Sequence, residues 1–124
     1  MGGKMSRTKG AQGEREWAKW LTSKGFEAKR GCQHAGGTDS PDVAGGIPGT
    51  HCEVKRVEKL NLYSAMAQAV KDSGGEKIPY VAHRRNREQW LVTVRAEELL
   101  AFAELITGAL DGIRRYEPEE SSDE

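Results

Sequence analysis

A chain of 124 residues, 36% of them hydrophobic, can enclose one ordinary core and not two. No run of about eighteen apolar residues occurs, which excludes a membrane-spanning helix. The formal charge of zero is misleading: residues 117–124 hold five acids and no base, so residues 1–116 carry 19 bases against 14 acids, a net of +5.

A basic body with a disordered acidic tail over 117–124 suits a protein that binds a polyanion such as DNA. The tail is either a solubilising end or a competitor with DNA for the basic surface. Residues 1–9 read as a flexible polar arm whose bases are Lys4, Arg7 and Lys9, and such arms reach nucleic acid. The arm has no apolar stretch, so it is no secretory signal, and the cytoplasm is the expected compartment. One folded domain is expected over residues 10–116.

From residue 10 to about 24, Ala11, Trp17, Ala18 and Leu21 mark one face of a helix, with Gly25 placed to end it. Residues 26–30 predict a first strand and 31–40 a glycine-rich loop. Residues 42–44 predict a short strand, Gly-Gly-Ile-Pro-Gly a turn, and 50–57 the next strand. Leu62, Ala65, Met66, Ala69 and Val70 follow helical spacing up to Ser73-Gly74-Gly75. Strands over 78–82 and 90–94 flank a basic turn containing Arg84, Arg85 and Arg87, and a final helix runs from 96 to about 108. The order α-β-β-β-α-β-β-α predicts an α/β fold with a mixed central sheet flanked by helices.

The chemistry lies in Pro41-Asp42 and, ten residues on, Glu53-Val54-Lys55. Residues two apart on a strand share a face, so Glu53 and Lys55 project together and a hairpin can bring Asp42 beside them. Two carboxylates and a lysine can hold Mg²⁺, or Mn²⁺ in its place, and activate water for phosphodiester hydrolysis. Asp42 and Glu53 are the expected ligands, and Lys55 orients the water or stabilises developing charge. The plainer alternatives are a turn-forming Asp42 and a solvated strand face carrying an ion pair. A second acid-x-lysine, Glu27-Ala28-Lys29, has no aspartate at the matching distance upstream.

Glu14 and Glu16 differ by about 200° around the first helix, so at most one points inward. Glu14 shares the side of Trp17 and Ala18 and is the better candidate for a metal ligand, or it is simply a first-turn acid on the helix dipole. Gln68 and Ser40 are candidates for supporting contacts. Arg30, Arg84, Arg85 and Arg87, with the arm's bases, are candidates for phosphate contact. A zinc site from Cys32, His34, His51 and Cys52 is disfavoured, because adjacent strand residues point to opposite faces.

The stretch Lys9-Gly10-Ala11-Gln12-Gly13-Glu14-Arg15-Glu16, then Gly25-Phe26, Pro41-Asp42 and Glu53-Val54-Lys55, resembles the archaeal-type Holliday-junction resolvases of the PD-(D/E)xK nuclease superfamily. The likeness spans about residues 7–75, and the body also looks like small phage-encoded nucleases of that superfamily. It implies a restriction-endonuclease-like fold and a homodimer that makes paired nicks in four-way DNA junctions with Mg²⁺. By motif position it makes Glu14, Asp42, Glu53 and Lys55 the catalytic set, with a hydroxyl at Thr38 or Ser40 near the site. The loop 31–40 and the second helix depart from the archaeal pattern. Two alternatives therefore stay open: a superfamily nuclease acting on flap, nicked or linear DNA, and a DNA-binding module without catalysis.

Overall fold

The computed structural model describes residues 3–31 and 42–116, with side chains over 10–31 and 42–113. Cys32, His34, Thr38, Ser40, Pro41, the acidic tail and the side chains of Lys4, Arg7 and Lys9 lie outside the described residues. In chain order the elements are α1 (Gly3–Ser23), β1 (Ala28–Arg30), β2 (Val43–Gly45), β3 (Thr50–Arg56), α2 (Leu62–Ser73), β4 (Ile78–Arg84), β5 (Leu91–Val94), a 3₁₀ turn (Ala96–Glu98) and α3 (Leu99–Tyr116). Among the described residues, no helix is long and apolar enough to cross a membrane.

The element order is the one the sequence predicts, but two helices are longer than expected. α1 begins at Gly3 and takes in residues read as the arm. Its first turns carry Lys, Arg and Met, good helix formers that lack the apolar periodicity by which the rest of the helix is recognised. α3 continues past Gly108 to Tyr116, because Ala109, Leu110 and Ile113 keep the apolar spacing and pack against the core.

The strands hydrogen-bond as two sheets: an antiparallel pair β1-β2 and a mixed sheet in the order β3-β4-β5. β3 runs parallel to β4, with Glu53 opposite Val81, and β5 is antiparallel to β4. The parallel pair needs a crossover, and α2 supplies it. Asn61 caps α2 by accepting from the Ser64 N–H at 3.0 Å, and Gly74 ends it at φ 69°.

Alternation along β3 sorts its side chains between two layers. Cys52 and Val54 join Trp17, Leu21, Tyr80, Ala82 and Phe102 in the core formed with α1 and α3. His51, Glu53 and Lys55 turn to the opposite face, where Ala65, Met66 and Ala69 of α2 pack on Val81. Trp17 anchors the first layer: its indole N–H donates to the Tyr80 hydroxyl at 3.2 Å, and its ring stacks on Trp20 with centroids 4.7 Å apart.

Gly13 sets how closely α1 meets β3. A Cβ there would lie 2.9 Å from Arg56 Cβ, so only glycine permits this approach. Gly45, at φ 83°, lets the β2 turn pass the Glu27 carbonyl, which a Cβ would strike.

Candidate active site

Four of the residues singled out by the sequence meet in one cleft at the end of β3. Its walls include Glu14 from α1, Asp42 at the entry to β2, and Glu53 and Lys55 from β3. β3 is an edge strand, and its Val54 N–H takes the Asp42 side chain as acceptor: Oδ2 lies 2.8 Å away. A carboxylate thus stands in for a neighbouring strand, which fixes Asp42 beside the two residues that flank Val54.

Glu53 is buried, 7% exposed, with Lys55 Nζ 3.5 Å from its Oε2. Burial, and then the negative charge of Asp42, push its carboxyl up to about 7 against the pull of Lys55. Burial likewise raises Asp42, opposed by the Val54 N–H and by Lys55. Glu14 is raised by burial, lowered by its bond to Arg30 and raised again by Asp42. Three acids thus line one cleft with their carboxyl groups raised by burial, although Glu14, Asp42 and Glu53 do not all bring donor atoms within 4.8 Å of one another. Hard oxygen donors of this kind could hold a divalent cation, and Asp42 and Glu53, on either side of the Val54 N–H contact, are the pair that could do so.

Glu14 and Glu16 separate as the helical geometry requires. Glu14 Oε1 accepts from Arg30 Nε at 2.9 Å inside the cleft. Glu16 lies outside it, paired with Arg84 at 3.1 Å and Arg56 at 3.2 Å, and so ties α1 to the ends of β3 and β4. The Arg56 contact is an ion pair whose angle falls short of a hydrogen bond.

The arginines read as phosphate contacts divide by these same pairings. Arg30 is held by Glu14. Arg84 is held by Glu16 and the Glu88 carbonyl and lies over the Trp90 ring at 5.8 Å. Arg85 is exposed and only loosely paired with Glu88 at 3.6 Å, and Arg87 is exposed at φ 64° in the β4–β5 turn. The last two remain open to a ligand, whereas the first two are bound internally because α1 presents two acids the sequence order does not place near them. Gln68 donates to Asp72 Oδ2 at 2.8 Å and borders a second cleft shared with Lys55, Asn61 and Ser64.

Sequence reasoning weighed His51 only within a disfavoured zinc site with cysteines and did not single out Asp72. The donor atoms of His51, Glu53 and Asp72 lie within 4.8 Å of one another on the α2 side of β3. Burial lowers the His51 imidazole, opposed by the charge of Asp72. The spacing of two residues between His51 and Glu53 was the available signal; Asp72 is brought in only by the packing of α2. Cys52 points away from His51 into the core, where burial raises its thiol.

The archaeal Holliday junction resolvase (Hjc) family matches residues 5–107. Among solved structures, Archaeoglobus fulgidus Hjc, a Holliday junction resolvase from an archaeal hyperthermophile, is similar at 28% identity and a TM-score of 0.50, over 69% of this chain and 72% of that one. No curated protein matches. The fold is the restriction-endonuclease-like one of PD-(D/E)xK nucleases, its mixed sheet layered with helices, and among the described residues every β-strand falls within the matched span. From the start of α1 to the middle of α3, the chain belongs to the archaeal Holliday junction resolvase family.

Proposed function

We propose that this protein is a divalent-cation-dependent endonuclease that resolves four-way DNA junctions by paired nicks, with Asp42, Glu53 and Lys55 at the reacting phosphate and Glu14 beside them. The observation that carries the reading is the convergence of these groups in one cleft at the edge of β3. Family membership supports the substrate.

Asp42 and Glu53 would hold Mg²⁺, or Mn²⁺ in its place, through carboxylate oxygens. Once bound, the cation neutralises charge on the scissile phosphate and acidifies a water. The residues do the rest. The Val54 N–H fixes the orientation of Asp42. The Lys55 ammonium, partly exposed, reaches both Glu53 and the cleft, where it can orient the attacking water and balance the pentacovalent phosphorane. Glu14, restrained by Arg30, adds a third carboxylate at the rim, able to act through water.

A homodimer suits paired nicking, because a two-fold axis presents two clefts to two strands. The exposed side chains Leu91, Val92, Leu99 and Leu100 on β5 and the start of α3 support such an interface. Arg85, Arg87 and the basic N-terminal residues supply phosphate contacts.

A panel of four-way junction, linear duplex and flap DNA, incubated with Mg²⁺, tests the substrate. Cleavage confined to the junction is expected. Equal cleavage of all three would replace resolution with general nuclease activity, and intact DNA under both Mg²⁺ and Mn²⁺ would leave only a binding module.

A further inference from the structure

On the α2 side of Glu53 the structure carries two further donors, His51 and Asp72, that the proposed reaction does not use. His51 and Glu53 share a face of β3, and α2 lays its last turn over that face to bring Asp72 to both. All three offer donor atoms within 4.8 Å of one another. In a tetrahedral site with bonds of about 2.1 Å, ligand atoms stand about 3.4 Å apart. Small rotations of three side chains close the gap.

Two further observations point to a missing ligand. His51 is 5% exposed, yet among the described residues its ring makes neither a hydrogen bond nor an ion pair. Asp72 is half satisfied: Oδ2 accepts the Gln68 amide at 2.8 Å, while Oδ1 is buried with no partner. The Asp72 oxygen, a buried acceptor left unpaired beside an imidazole, is costly. A cation between them would satisfy both, with Gln68 orienting Asp72 from outside as such partners do.

We propose that His51, Glu53 and Asp72 form a second divalent-cation site, of mixed nitrogen and oxygen ligands, which takes a first-row transition ion of the Mn²⁺ or Zn²⁺ class in preference to Mg²⁺. The imidazole sets the selectivity, because nitrogen donors favour transition ions and Mg²⁺ demands oxygen. The site deepens the proposed function, resting on it only through Glu53, whose carboxylate it shares with the Asp42 cleft.

The test is pulsed EPR of Mn²⁺ added to the metal-free full-length protein, which reads nitrogen coupling from a ligating imidazole. Wild type should show the coupling and His51→Gln should lose it. Asp72→Asn should weaken the nitrogen-coupled ion by about tenfold or more, while Asp42→Asn should keep it. Bound Mn²⁺ without nitrogen coupling in wild type, or coupling that survives His51→Gln, overturns the proposal. Junction cleavage by the same proteins separates the two readings: Asp42→Asn that still cleaves defeats the catalytic cleft and leaves this site standing, whereas wild type that cleaves without nitrogen coupling does the reverse.

Discussion

Glu53→Gln should stabilise the metal-free protein, and more so as pH rises. The folded chain holds the Glu53 carboxyl up to about 7, against an ordinary 4.5, chiefly by burial and then by the charge of Asp42. Between those values the unfolded chain gives up its proton and the folded chain keeps it. Folding stability then falls by about 1.4 kcal/mol for each pH unit. The penalty is absent below pH 4.5, grows through the window and is constant above about 7, reaching about 3 kcal/mol. Water entering the open cleft brings the observable figure nearer to about 2 kcal/mol.

Glutamine is nearly isosteric and cannot ionise, so it removes this penalty alone. Urea denaturation of both proteins in EDTA at pH 5 and pH 8 measures it, and the double difference cancels the titrating groups that are not coupled to Glu53. The variant should gain about 2 kcal/mol on wild type between the two pH values. A gain that is the same at both would mean that Glu53 titrates like a solvated carboxyl. A wild type that gains on the variant at pH 8 would mean that Lys55 overcompensates the burial, and the reasoning would be wrong.

Two glycines one turn apart on α1 should respond in opposite senses, as thermal melting will show. Gly10→Ala meets nothing within 4 Å and should gain up to about 1 kcal/mol from helix propensity. Gly13→Ala should lose about 1–3 kcal/mol, because its Cβ meets Arg56 at 2.9 Å; equal gains at both sites would refute the close approach of α1 to β3. Glu16→Ala strands Arg56 and Arg84, both largely buried, and should cost about 1–3 kcal/mol in denaturant. Lys55→Met should lower the rate of junction cleavage by about a hundredfold or more while DNA binding, read by gel shift, changes little.

The order of the elements was legible because each announced itself locally, through apolar spacing in α2 or alternation in β3. What escaped the sequence depends on contacts between distant segments. The strands were expected in one sheet, yet the Asp42 side chain rather than a backbone partner takes the Val54 N–H at the edge of β3. Arg30 and Arg84 read as free bases because nothing local shows that Glu14 and Glu16 reach them. Glu53 and Lys55 needed only a period of two to be paired, and His51 obeys the same period. Asp72 could not be read at all, since it lies 19 positions beyond Glu53 and joins it only through the crossover of α2.

The most direct measurement is strand-resolved cleavage of an end-labelled four-way junction by wild type and Asp42→Asn in Mg²⁺. Symmetric nicks in two opposing strands, lost with Asp42→Asn while junction binding persists, are the result expected of this cleft. Undiminished nicking by Asp42→Asn would place the chemistry elsewhere in the molecule and contradict the account.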